Sequence, residues 1–474
     1  MSVLPVRRGK AMSARTVFAS LLVSSALIGF SAAGLGVARA ESIEEALASA
    51  YATNPQLEAQ RAAQRATDEL VPQALSAWKP TVTVSAGYSA SNTNETLGSQ
   101  KLKLDSRPLS AQVVAQQNLF TFGRIEGGID KAEAAVLAGR AQLNATEQSV
   151  LLAAAAAYID VVQAQSVVGL TKNNVEVLTR QLEATRDRFR VGEITRTDVA
   201  QADAALANAK SDLIAAEATL TNAKAAYEKV VGHVPENVSQ PKQLPILPAT
   251  LDEAKATAAT RSPTLIASRR NEEASRANIE VARSGLLPQL VAQGSYAYND
   301  TSTLGSIGQN VGLQTKTAQI GVQLQVPLNT SGLAYSQLRQ AKQSNSQDRI
   351  NIATAERAVL EAVVDAWENL RAARGQIESG RENVRSNEVA LDGVRQEAAV
   401  GSRTTLDVLN AEQLTLIARV NLVKAEHNEV VTAYQLLNAI GKLTPGDLSL
   451  SVKSYDPSEN YKNVRDKWFG ADIN

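Results

Sequence analysis

Cysteine is absent from this chain, which excludes disulfides, thiolate metal sites, a cysteine nucleophile and a lipid anchor on a cysteine. Histidine is nearly absent: His233 and His427 are too few, and too far apart, to form a histidine metal site. There is no GxxxxGK[ST] phosphate loop, no HExxH motif and no Ser-His-Asp constellation, so no enzyme activity, cofactor or metal is expected. Beyond residue 40 no segment approaches about 20 consecutive apolar residues, and no transmembrane helix is expected. An excess of positive charge is also missing, since 48 Lys and Arg stand against 48 Asp and Glu.

That balance is skewed by the first 40 residues, which read as a secretory signal peptide. Arg7, Arg8, Lys10 and Arg15 form a basic start, Val17 to Phe30 is an apolar run, and Ala38-Arg39-Ala40 gives a small-x-small cleavage pattern. The mature chain is expected to begin at Glu41. Removing five bases (Arg7, Arg8, Lys10, Arg15, Arg39) leaves 43 bases against 48 acids, a net charge of −5. A nucleic-acid binder would need a basic footprint, so no nucleic-acid partner is expected.

What remains repeats itself at an offset of about 208 residues. Ser42-Ile43-Glu44-Glu45 matches Thr250-Leu251-Asp252-Glu253, both capping boxes that open a helix. Asn54-Pro55 matches Ser262-Pro263, Trp78-Lys79-Pro80 matches Leu286-Leu287-Pro288, and Tyr88 matches Tyr296. Val191-Gly192 then matches Val400-Gly401, Asp198-Val199 matches Asp407-Val408, and Gly232 matches Gly441. The repeats are expected over 41–234 and 250–441. They are joined by a linker at 235–249, where four of the 14 prolines cluster, and followed by a C-terminal equatorial segment and tail at 442–474. Within that tail, the polar stretch Tyr455 to Asn474 is expected to be partly disordered.

Each repeat predicts a helix, two strands and a long helix with a return helix. In the first, a helix is expected from Ile43 to Ala77, strands at Thr81–Tyr88 and Leu109–Phe120, and a polar loop between them. No proline lies between Pro108 and Pro235, or between Pro327 and Pro445, and good helix formers fill both gaps. Long helices are predicted over Arg124–Arg190 and Tyr335–Ala399. Their length and small residues, as at Ala153 to Ala157, suggest coiled-coil packing. Gly192 and Gly401 end them and permit a left-handed turn. Asp198 and Asp407 fall in the first turns of the following helices, where carboxylates complement the helix dipole.

The strands alternate. Ile320, Val322, Leu324 and Val326 share one face, with Gln319, Gly321, Gln323 and Gln325 on the other. Apolar-out, polar-in strands suit a transmembrane barrel with a watery lumen, although a soluble sandwich has the same period. Four strands per chain cannot close a barrel, and open edges are not tolerated in lipid. Two copies would give eight strands, three twelve, four sixteen. Trp78, Tyr88, Phe120, Phe122, Tyr296 and Tyr298 are expected near strand ends, where an interfacial aromatic belt would sit.

From Glu41 to about Asp447 the chain resembles the TolC family of outer-membrane efflux proteins. The likeness rests on the duplicated plan and two interhelical turns, Arg188-Phe189-Arg190-Val191-Gly192-Glu193-Ile194-Thr195-Arg196-Thr197-Asp198-Val199 and Val400-Gly401-Ser402-Arg403-Thr404-Thr405-Leu406-Asp407-Val408-Leu409. The resemblance implies a mainly α fold with transmembrane β. It implies a homotrimeric 12-stranded β-barrel in outer-membrane lipid, continued by a long α-helical periplasmic barrel of coiled coils. It further implies a passive exit duct for drugs, toxins or secreted proteins, in a tripartite efflux pump or type I secretion system. The partners would be a periplasmic adaptor (a membrane fusion protein) at the turns of Val191, Gly192, Val400 and Gly401, and an inner-membrane pump of RND or ABC type.

By the same resemblance, Thr197, Asp198, Arg403 and Asp407 belong to a periplasmic gate and its selectivity ring. Two positions depart from the family pattern. Ala398 stands where a tyrosine link is usual and Asn410 where a second acidic ring is usual, which leaves Asp407 the main ring. A structural coiled-coil envelope protein without channel activity is the alternative reading; it gives no role to the strand pairs.

Overall fold

The computed structural model describes residues 41–241, 243–304 and 310–472. The signal peptide expected over 1–40 lies outside these residues. The first repeat opens with α1 (Ile43–Thr53), α2 (Pro55–Asp68) and α3 (Leu70–Ser76) in place of the single helix expected. Proline explains both breaks. Pro55 has no N–H to continue α1, and Asn54 caps the new start by accepting from the Gln56 amide at 2.9 Å. Pro72 in turn would clash with the carbonyl of Asp68, where α2 stops.

Strands β1 (Thr81–Tyr88), β2 (Ser91–Leu97) and β3 (Gln100–Phe120) follow, then α4 (Arg124–Arg190) and α5 (Arg196–Val231). The same order recurs as α6 (Leu251–Arg261), α7 (Pro263–Ser284), β4 (Gln289–Leu304), β5 (Asn310–Gln325), α8 (Leu333–Ala399) and α9 (Thr405–Ala439). Both long helices are 67 residues, about 100 Å each at 1.5 Å per residue. Against expectation, α4 does contain a stretch long and apolar enough to cross a membrane, half of it buried. Leu151, Ala154, Ala155, Tyr158 and Val161 account for the burial: this stretch is the centre of the core.

The strands form one antiparallel sheet in the order β1-β3-β4-β5, with β2 also paired to β3. The polar segment expected as a loop is thus mostly strand, and β1 and β2 fill one lane between them. They part at Ser89–Ala90, opposite Pro108, which has no ladder donor. Cross-strand rows such as Val84–Val113–Tyr296–Ala318 and Val82–Ala115–Gly294–Ile320 put the apolar residues on one face. Thr83, Gln112, Gln293, Gln319 and Gln323 occupy the other face. Ile320 is 93% exposed and Val84 71%, so among the described residues nothing covers the apolar face there. Tyr296 and Tyr298 lie inside β4 rather than near its end, because β4 runs on to Leu304. Phe120 and Phe122 do sit at the strand–helix junction, edge to face with centroids 4.4 Å apart.

The main core joins the two repeats. Leu47 and Tyr51 of α1 meet Leu151 and Tyr158 of α4, Tyr227 of α5, Val363 and Leu370 of α8, and Tyr434 and Leu437 of α9. Each leucine or valine there contributes about 1.5–3 kcal/mol on full burial. His427 Nε2, 2.7 Å from Asp160 Oδ1, ties α9 to α4 beside this core. The described part of the tail, through residue 472, holds a helix where partial disorder was expected. It forms α10 (Pro457–Val464), docked by Asn460 Nδ2 donating to Asp68 at 2.9 Å, with Val464 buried and Arg465 Nη2 3.2 Å from Glu133.

Candidate functional site at the helical tips

The α4–α5 and α8–α9 hairpins end in turns of the same construction. At the first tip the Gly192 amide donates to Phe189 O at 3.0 Å and the Glu193 amide to Arg188 O at 3.0 Å. At the second, Gly401 donates to Ala398 O at 3.2 Å and Ser402 to Glu397 O at 3.0 Å. This pattern requires a left-handed residue just past the helix, and Gly192 and Gly401 supply it with φ of 85° and 83°. Val191 and Val400 are 73% and 82% exposed, so each tip shows an apolar side chain to its surroundings.

The return helices start from reciprocal caps. Thr195 Oγ1 accepts from the Asp198 amide at 3.3 Å, while Asp198 Oδ2 accepts from the Thr195 hydroxyl at 2.7 Å and its amide at 2.9 Å. Thr404 and Asp407 repeat the arrangement at 3.2, 2.8 and 2.9 Å. The Thr195 hydroxyl and amide hold the Asp198 carboxyl below the usual aspartate range. The amide and hydroxyl of Thr404, with Arg403 nearby, do the same for Asp407. Both carboxylates are therefore anionic at neutral pH. The Thr-x-x-Asp spacing that builds these caps was readable in the sequence, but Thr195 and Thr404 were not singled out there.

The ion pairs at the two tips have opposite polarity. In the first, Arg188 on the helix reaches Glu193 in the turn at 3.0 Å. In the second, Glu397 on the helix accepts from Arg403 in the turn at 2.8 Å. Among the described residues no bond joins Arg403 to Thr197 or Asp198 within the chain. Thr197 is exposed beside the first cap. Asp407 and Asp198 lie on separate hairpins, which meet in one apolar cluster where Leu409 of α9 packs with Leu178 and Leu182 of α4 and Leu206 of α5. Further pairs clip each hairpin internally: Arg186 to Asp203 at 3.5 Å, Arg419 to Glu388 at 2.7 Å, and Arg395 to Glu412.

The chain matches the model of the outer membrane efflux protein family over residues 46–233 and again over 256–442. It is 36% identical to the outer membrane efflux protein BepC of Brucella suis, covering 91% of this chain and 92% of that one. It is 30% identical to the outer membrane protein TolC of Vibrio cholerae, covering 90% and 96%. The fold is similar to the crystal structure of the CmeC outer membrane channel of Campylobacter jejuni, with a TM-score of 0.74 at 16% identity over 90% of this chain and 89% of that one. A duplicated helical hairpin plan, a two-faced sheet and a twice-matched family model converge on one statement: this chain belongs to the outer membrane efflux protein family.

Proposed function

We propose that this outer-membrane protein is the passive exit duct of a tripartite efflux pump or type I secretion system. The observation that carries this reading is the sheet. It is polar on one face and apolar and exposed on the other, and among the described residues the outer edges of β1 and β5 have no partner. Lipid can cover the apolar face, but it cannot satisfy the open edges. Copies of the chain must pair edge to edge, and a homotrimer with four lanes per chain gives twelve strands. Residues 41–234 and 250–441 would then act as two repeats contributing alternate hairpins to one helical tunnel.

In this reading Thr197, Asp198, Arg403 and Asp407 line the periplasmic entrance, and the turns of Val191, Gly192, Val400 and Gly401 meet a periplasmic adaptor linked to an inner-membrane pump. Asp407 makes the entrance prefer cations, because several carboxylates converging in a narrow opening focus the field. Arg403 closes the entrance when it turns from Glu397 toward a neighbouring hairpin. Mass measurement in detergent, beside conductance across planar bilayers, tests the proposal. A trimer with a cation-preferring pore is expected; a stable detergent-free monomer overturns it, and leaves the structural coiled-coil reading.

A further inference from the structure

We infer that the chain contains a built receptor for its own processed N-terminus, in which Glu41 clasps the inter-repeat linker. The inference is independent of the channel reading and rests on the expected cleavage after Ala40. The backbone nitrogen, the carbonyl and one carboxylate oxygen of Glu41 are each engaged by the protein. Its backbone nitrogen donates to Asn237 O at 2.8 Å, and the residue pairs in parallel with Val238. Its carbonyl oxygen lies 2.7 Å from the Tyr158 hydroxyl, which is also 2.8 Å from Ser239 O and accepts from the Ser239 amide at 3.2 Å. Its carboxylate accepts from the Tyr227 hydroxyl at 2.6 Å and lies 3.4 Å from His233 Nε2.

The two tyrosines make this a site rather than a chance contact. Tyr227 is 0% exposed and Tyr158 1%, yet both hydroxyls point at Glu41. A buried hydroxyl needs a partner, and for Tyr227 the Glu41 carboxylate is the one present. Hydrolysis of the Ala40–Glu41 peptide bond leaves a carboxylate on Ala40, which departs with the leader, and an ammonium on Glu41. That ammonium takes over the bond to Asn237 O as a charge-assisted one, stronger than the amide bond it replaces. Leader removal thus completes the packing that holds linker residues 237–239 against α4 and α5.

N-terminal sequencing of the purified mature protein should begin at Glu41. An amine-reactive ester at pH 7.4, read by mass spectrometry of the N-terminal peptide, should label the folded protein about ten-fold or more slower than the guanidinium-unfolded protein. Tyr227→Phe, checked for retained helicity, should raise labelling of the folded form about three-fold or more, toward the unfolded rate. A different first residue, equal labelling of folded and unfolded wild type, or a folded Tyr227→Phe variant that labels as slowly as wild type each overturns the inference. The wild-type comparison stands without the variant, should Tyr227→Phe not fold.

Discussion

Arg403 Nε lies 2.8 Å from Glu397 Oε2, six residues earlier, so the arginine at the second tip is bonded back onto its own hairpin. Both side chains are half exposed, so solvent screens the pair and it contributes little to stability. The guanidinium can therefore exchange Glu397 for a partner on a neighbouring hairpin at little cost. Arg403→Ala should raise single-channel conductance and vancomycin uptake by cells, with the oligomer intact. Glu397→Gln, which keeps the arginine, should leave both near wild type. Unchanged conductance in Arg403→Ala would mean that helix packing alone shuts the entrance.

Asp407 has two roles that substitution can separate. Thr404→Ala removes the side-chain cap of α9, at a cost of about 1 kcal/mol, and Asp407→Asn weakens the reciprocal half of the same cap. Only Asp407→Asn removes a charge. Reversal potentials in planar bilayers should show reduced cation preference in Asp407→Asn and near-wild-type preference in Thr404→Ala. Equal selectivity in the two variants would reduce Asp407 to a helix cap.

The direction of the carboxylate shifts fixes a pH response. Asp198 and Asp407 titrate below the ordinary aspartate value of 3.8 when folded. Their capping contribution is thus complete above that value and is lost as pH falls through the lower folded values. Amide exchange at Thr195–Asp198 and Thr404–Asp407 should keep the same protection, corrected for intrinsic rates, from pH 7 down to pH about 5.

At Gly192 and Gly401 an added Cβ meets no atom within 4 Å, so only the backbone opposes a side chain. The left-handed conformation costs an L-residue about 1–2 kcal/mol. Gly192→Ala and Gly401→Ala should each weaken protection at their own tip by about that much. Hydrogen exchange should show the central core of Leu151, Tyr158 and Tyr434 unaffected. A drop in core protection would mean that the tips and core unfold together.

On the sheet, Ile320 and Gln319 are neighbours in sequence on opposite faces. A lysine facing the lipid midplane costs about 2–4 kcal/mol per chain, whereas one facing water costs little. Ile320→Lys should deplete the assembled protein from outer-membrane fractions, and Gln319→Lys should accumulate normally. The reverse order would show that the polar face is the one in contact with lipid.

Local rules carried much of this architecture. Proline-free, helix-favouring sequence bounded by Gly123 and Gly192 is enough to set α4 at Arg124 to Arg190, and strict alternation from Gln319 to Val326 is enough to assign the faces of β5. The helix bends at Asn54 and Asp68 also follow from Pro55 and Pro72, although period and composition alone read straight through them. The extension of strand into Ser91–Leu97 was hidden, because Ser, Asn and Thr favour loops unless a partner strand supplies the hydrogen bonds. Here β3 supplies them.

Sequence by itself determined the elements, the left-handed turns at Gly192 and Gly401 and the caps of Asp198 and Asp407, because each depends on residues close together in the chain; it also showed the duplication, as matches at one long offset. Tertiary structure alone decided the rest. Tyr227 and Glu41 are 186 residues apart, and Leu409 reaches Leu206 across two hairpins; only folding brings them together. It also assigned Arg403 to Glu397 rather than to Thr197 or Asp198. A charge in a turn can reach several carboxylates, and backbone geometry picks the one within bonding distance.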